Sequence, residues 1–206
     1  MTPTWRTAGA GCIMILAATL AWPQAFAAER SATEAVRSSI NEVIHMLEDP
    51  ELKKPGRAEE RRKKLEQKIG ARFSYEEMSK RALAAQWPKL NDGQRKEFVD
   101  LFQRLLSNTY AGKIEGYSGE QVSYLGERLQ DGYAEVRTKV SSGKTEIPLD
   151  YRLLQKDGDW RVYDVVVDGI SLVSNYRGQF TKIIRSGSYE DLVDKLRSKS
   201  DQIKSP

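Results

Sequence analysis

The chain has 206 residues, with 33 Lys and Arg against 29 Asp and Glu, one Cys and one His; 39% of the residues are hydrophobic. One Cys excludes an internal disulfide, and one Cys with one His excludes a zinc finger or a cluster-binding scaffold. A formal charge of +4 is too small to indicate nucleic acid, and the length suits one domain or two small ones, enough for a single core that buries roughly two thirds of the unfolded chain's surface.

The first 27 residues read as an export leader. Arg6 precedes an apolar run, Ala8 to Trp22, which Pro23 breaks, and Ala25-Phe26-Ala27 supplies the small-x-small pattern of a cleavage site. The run is shorter than the ~20 residues a membrane-spanning helix needs. Most of it follows Cys12, which argues against lipid attachment there. Cleavage after Ala27 removes the Cys, so the mature chain is expected to work in an oxidising, exported space without disulfide or thiolate chemistry.

Helices come next. Ser31-Ala-Thr-Glu34 has capping-box spacing, followed by a helical stripe of Val36, Ile40, Val43, Ile44 and Leu47 that Asp49-Pro50 ends. His45 lies off that stripe and reads as a solvated residue. Residues 57–69 form a charge-dense helix with pairs such as Glu60–Lys64, closed by Gly70. Ser74-Tyr-Glu-Glu77 caps a third helix that Trp87-Pro88 ends. Asn91 and Gln94 start a fourth, whose Phe98, Leu101, Phe102, Leu105, Leu106 and Tyr110 recur at helical spacing.

After Gly116 the period drops to two. Val122–Gly126, Ala134–Val140 and Ile147–Leu153 alternate apolar with polar residues, separated by Gln130-Asp131-Gly132, Ser142-Gly143-Lys144 and Lys156-Asp157-Gly158-Asp159. A fourth strand, Trp160 to Asp168, is apolar on both faces and is expected to be central and covered on both sides. Gly169 to Leu172 leads into a helix with Tyr176, Phe180, Ile183 and Ile184. Ser188 caps a last helix with Leu192, Val193 and Leu196, and residues 198–206 read as a polar, frayed tail. Helices followed by an antiparallel meander predict an α+β fold, with a curved four-stranded sheet packed against helices and able to enclose a cavity. The expected organisation is a leader over 1–27, a single domain over 28–197 and the tail.

No P-loop, GxGxxG, HExxH or GxSxG motif is present. Metal-ligand spacing is absent, so no catalytic and no metal residue is assigned. Asp150-Tyr151 and Tyr163-Asp164 leave open a cavity enzyme using carboxylate and phenol acid–base chemistry. Strand alternation sends each member of these pairs to opposite faces, and a structural Asp164 is the simpler reading.

The stretch Trp160-Arg-Val-Tyr-Asp164, Gly169-Ile-Ser171-Leu172 and Asn175-Tyr176-Arg177-Gly-Gln179-Phe180 resembles the signature of the MlaC family, periplasmic lipid carriers also called toluene-tolerance auxiliary components. Phe73, Tyr75, Met78, Ala82, Leu83 and Trp87, then Gln94, Arg95, Phe98, Phe102, Leu105 and Tyr110, extend the resemblance, which runs from about Thr33 to Leu196. Ala84-Ala85 departs from it, where the family often has Gly before its Trp. The resemblance implies an NTF2-like cavity fold and a monomeric periplasmic shuttle for glycerophospholipid, bound as cargo and without a cofactor. It implies two partners: an inner-membrane ABC transporter with an MCE-domain subunit, and an outer-membrane lipoprotein–porin complex. It carries over no catalytic residue. Another hydrophobic ligand, such as a sterol-like lipid, stays open as an alternative.

The expected lipid-lining residues are the inward faces of the long helix and the strands: Phe98, Leu101, Phe102, Leu105, Tyr110, Ile147, Leu149, Tyr151, Val165, Val167, Leu172, Tyr176 and Phe180. Arg177 is a candidate headgroup neighbour, or else the partner of an internal ion pair with Asp164.

Overall fold

The structure, a computed structural model, describes residues 31–202, so the leader reading of Met1–Ala27 lies outside them. The described elements are helices α1 (Ala32–Glu48), α2 (Ala58–Arg72), α3 (Tyr75–Leu83) and α4 (Asp92–Glu115), then strands β1 (Gln121–Gln130), β2 (Tyr133–Ser142), β3 (Thr145–Lys156), β4 (Asp159–Val167) and β5 (Ile170–Ser171), then helices α5 (Leu172–Ser186) and α6 (Tyr189–Gln202). The strands form one antiparallel sheet in sequence order. The α+β class and the curved meander stand as the sequence reading has them.

The caps explain where the helices begin. Ser31 Oγ accepts from Glu34 N at 3.1 Å and Ser74 Oγ from Glu77 N at 3.4 Å. Asn91 and Gln94 form the full reciprocal box, at 2.9 and 3.1 Å. The ends differ from expectation in three places. Gly70 does not close α2, because Arg72 is held from outside: its guanidinium donates to Ser39 Oγ at 2.8 Å and to Asp159 at 2.9 Å. These tertiary bonds outweigh the ~1 kcal/mol that a helical glycine costs. Residues 198–202 continue α6, and Ser200 is buried with its hydroxyl on Leu196 O.

The third difference is at α3, which ends at Leu83 and not at Trp87-Pro88; Trp87 and Pro88 sit in the 3-10 turn Ala84–Lys89. Ala84 there has φ +46 and ψ −116, a conformation that L side chains rarely adopt. Ala84 belongs to the Ala84-Ala85 pair at which the sequence departs from the resemblance described above. Relief of that strain is worth 1–3 kcal/mol, and the extra unfolded-state freedom of glycine offsets ~0.4–1 of it. Ala84→Gly is therefore expected to stabilise the protein by about 1 kcal/mol in urea unfolding.

A fifth strand appears where only a turn into a helix is expected. Asp168-Gly169 turns with φ +50 and +78, as Asp131-Gly132 (+48, +76) and Asp157-Gly158 (+54, +74) do. Such paired positive values match the twist of a tight hairpin. The turn pairs Val167 with Ile170 and Val166 with Ser171. The same short return revises the place of β4. Its outer edge is strand-paired only at these last residues; further back it takes one parallel bridge from Phe73, with Ser74 N donating to Val162 O at 2.8 Å.

A register shift between Arg152 and Leu153 sets the faces of β4. Leu153 faces Val162, Arg152 faces Asp164 and Tyr151 faces Val165. The bulge leaves Val165 and Val167 on the same face as Val162 and Trp160, and turns Asp164 away from it. This corrects simple alternation, which puts Asp164 with Trp160 and Val162.

The apolar side chains gather in two cores. One joins α3, α4, α5 and α6 around Phe98, Phe102, Tyr176 and Phe180. The other packs Ala32, Ala35 and Val36 of α1 on Ala134, Val136, Leu153, Trp160 and Val162 of the sheet. Phe73 touches both.

Candidate functional site

A cavity of about 260 Å³ lies at the seam between the two cores. Helix α2 supplies Leu65 and Ile69, the turn and α3 supply Phe73, Tyr75 and Met78, and the last turns of α4 supply Leu106, Tyr110, Ala111 and Ile114. The sheet contributes Leu149 and Tyr151 from β3 and Val165 and Val167 from β4, and Leu172 starts α5. Leu149 and Val167 are direct cross-strand partners, as are Tyr151 and Val165. The β4 bulge is what brings both valines to this wall.

The phenols of the wall stay neutral. Burial, helped by the nearby Glu66 charge, pushes Tyr75 up to about 12. Burial also raises Tyr151 and Tyr110 above the usual tyrosine range. Charged groups of the lining are Arg62, Glu66, Lys113 and Glu115. Three of these are committed within the protein: Arg62 to Glu66 at 3.3 Å and Asn108 at 2.7 Å, Glu115 to Arg61 at 3.5 Å. The exposed residues of the lining include Lys113 and Val167, which mark the mouth.

Of the thirteen expected lining residues, the structure brings six together here: Tyr110, Leu149, Tyr151, Val165, Val167 and Leu172. Phe98, Leu101, Phe102, Leu105, Tyr176 and Phe180 pack instead in the helical core, where α4 meets α5 and α6. Ring centroids of Phe98, Phe102, Tyr176 and Phe180 lie 5.2–5.9 Å apart, mostly edge to face. Ile147 is 42% exposed, two residues along β3 from the wall. Arg177 is exposed on α5 in a polar groove with Arg81, Arg152 and Tyr163, outside the cavity wall, because α5 turns Tyr176 and Phe180 inward.

Asp164 does not pair with Arg177. It is 4% exposed and accepts from Ser171 Oγ at 2.6 Å, Val173 N at 3.0 Å and Arg152 Nη1 at 3.3 Å. It therefore ties the start of α5 to the sheet and positions Leu172 at the cavity. Asp164→Asn is expected to cost about 1–3 kcal/mol of stability, read by denaturant titration.

The sequence predicts α2 as a helix but not its part in the cavity wall. Leu65 and Ile69, one turn apart, are the apolar anchors in its charged run, and that spacing is the signal that places one face inward. The pairing expected there is present, Glu60 to Lys64 at 3.0 Å. His45 is exposed on α1. Among the described residues no group of three or more His, Cys, Asp or Glu side chains is placed to hold a metal ion, and no helix is long and apolar enough to cross a membrane.

Helices and a curved antiparallel sheet closing on an apolar pouch define a cavity-bearing α+β binding protein. The chain belongs to the MlaC family: the family profile described as "MlaC protein" matches residues 37–198. It is similar to the intermembrane phospholipid transport system binding protein MlaC of Haemophilus influenzae, 21% identical over 59% of this chain and 60% of that protein. It is also similar to the toluene tolerance protein ttg2D of Pseudomonas putida, 29% identical over 45% of this chain and 44% of that protein. The matches thus span less than two thirds of these relatives. A phospholipid-binding protein from Ralstonia solanacearum, solved in complex with a phospholipid, superposes with a TM-score of 0.76 at 28% identity, covering 84% of this chain and 98% of that one.

Proposed function

We propose that this chain is an exported carrier of glycerophospholipid, holding acyl chains in the seam cavity with the headgroup at its mouth. The observation that supports this most directly is the cavity itself, a predominantly aliphatic and aromatic pouch whose charges gather among a few residues. The likeness to a phospholipid-bound structure and to a phospholipid transport binding protein supports the same reading. Two acyl chains with about 30 methylenes resist an aqueous crossing by roughly 24 kcal/mol, at ~0.8 kcal/mol each. A carrier has to offer comparable apolar burial without a covalent step. In this reading the protein works in the periplasm between an inner-membrane ABC transporter with an MCE-domain subunit and an outer-membrane lipoprotein–porin complex.

The test is extraction of the purified mature protein with organic solvent after denaturation. Near-stoichiometric phospholipid in the extract is the expected result. An empty protein that also takes no lipid from vesicles overturns the proposal.

A further inference from the structure

Arg62, Glu66 and Glu115 are held within the protein, whereas the hydroxyls of Tyr75, Ser107, Tyr110 and Tyr151 and the Lys113 ammonium make no hydrogen bond or ion pair among the described residues; three of these five lie in a row on α4. Thr109, on the outer side of α4, donates its hydroxyl to Leu105 O at 2.7 Å. Ser107 and Tyr110, on the cavity side, make no such bond among the described residues, and Lys113 has no carboxylate within ion-pair distance there. The Lys113 ammonium lies 5.9 Å from the centre of the Tyr110 ring. These three residues follow one another at intervals of three on α4. They run from the half-buried Ser107 and Tyr110 to the exposed Lys113, over about 9 Å of helix axis.

We infer that Ser107, Tyr110 and Lys113 form a row of donors that reads the polar middle of a diacyl phospholipid, with Lys113 holding the phosphodiester. This rests on the carrier reading above and deepens it by naming what selects the cargo. The acyl chains belong in the apolar interior, so ester oxygens come next along the lipid, and the phosphate comes last, at the mouth. Hydroxyl donors suit neutral ester carbonyls. An ammonium on a flexible stem suits a phosphate whose substituent varies, because it acts as a point charge and demands no fixed fork geometry. The arrangement selects phosphate-bearing lipids over diacylglycerol with the same chains. Arg62 cannot substitute for Lys113, since Glu66 and Asn108 hold its guanidinium.

The test offers the delipidated protein vesicles that contain equal amounts of palmitoyl-oleoyl phosphatidylglycerol and palmitoyl-oleoyl diacylglycerol. Retained lipid is then measured by mass spectrometry. Wild-type protein retains mainly the phospholipid. Lys113→Met lowers the phospholipid-to-diacylglycerol ratio by about tenfold, the scale of one charge-assisted hydrogen bond, and Lys113→Arg restores it. Tyr110→Phe lowers both lipids together and leaves the ratio unchanged. A cation in the last turn also complements the helix dipole, so melting temperatures are taken on the same variants; a purely structural role would move them without moving the ratio. Inorganic phosphate titrated into the empty protein shows no Lys113-dependent binding, and such binding would assign the site to free phosphate instead. An unchanged ratio in Lys113→Met overturns the inference while lipid uptake leaves the carrier reading intact. Uptake of neither lipid by wild-type protein overturns both.

Discussion

Leu149→Arg is expected to leave the purified protein nearly free of phospholipid, at least tenfold below wild type, with its fold intact. Leu149 lines the cavity from β3, and its cross-strand partner Val167 is 37% exposed. An arginine there fills the pouch with its stem and extends its guanidinium through the mouth into water, so the protein avoids burying a bare charge. An incoming acyl chain has no such escape. It loses its leucine contacts and meets a cation whose desolvation costs several kcal/mol, and each 1.4 kcal/mol is a tenfold loss in affinity. The ladder from Leu149 to Val167 is backbone pairing and is unaffected, so the thermal melt should move by only a few degrees. Ile147→Arg is the control: it lies on the same strand and face but outside the wall, and it should retain normal lipid. Equal lipid content in the Leu149→Arg protein would show that this cavity does not hold the cargo.

That contrast shows how much of the site could be read from residue order. The period of two placed Leu149 and Ile147 on one face of β3, and the structure agrees. Period alone cannot say that the cavity ends between them, because that depends on where α2 and α4 cross the sheet. The four-stranded meander was legible through its two Asp-Gly turns and the Ser142-Gly143 turn between them. β5 carries the same Asp-Gly signal at 168–169, but two residues are too short for any alternation to show. The bulge at Arg152/Leu153 left no local mark, since the strand is apolar enough to read either way. It nevertheless decides that Asp164 braces α5 while Val165 and Val167 face the cavity. The charged helix α2 shows no apolar stripe in the sequence because eleven of its fifteen residues are polar or glycine; Leu65 and Ile69 are too few to register as one, yet they close one side of the pouch.

The long helix α4 poses the same problem on a larger scale, and Phe102→Ala separates its two roles. Its apolar positions form one continuous pattern from Phe98 to Ile114, but the structure divides them. Phe98, Leu101, Phe102 and Leu105 face α5 and α6, whereas Leu106, Tyr110 and Ile114 turn toward the cavity. Phe102 is fully buried, with the Tyr176 and Phe180 rings 5.2 and 5.3 Å away in edge-to-face contact. Truncating it leaves a hole that neighbours on three helices can only partly fill, a loss of about 3–5 kcal/mol. Against a total stability of 5–15 kcal/mol, that is expected to lower the melting temperature by roughly 10 °C or more. Because Phe102 contributes nothing to the wall, lipid bound per folded molecule should stay at the wild-type level at low temperature. A folded Phe102→Ala protein that has lost its lipid would mean that acyl chains reach past Leu106 into the helical core, and the boundary between core and cavity would have to be redrawn there.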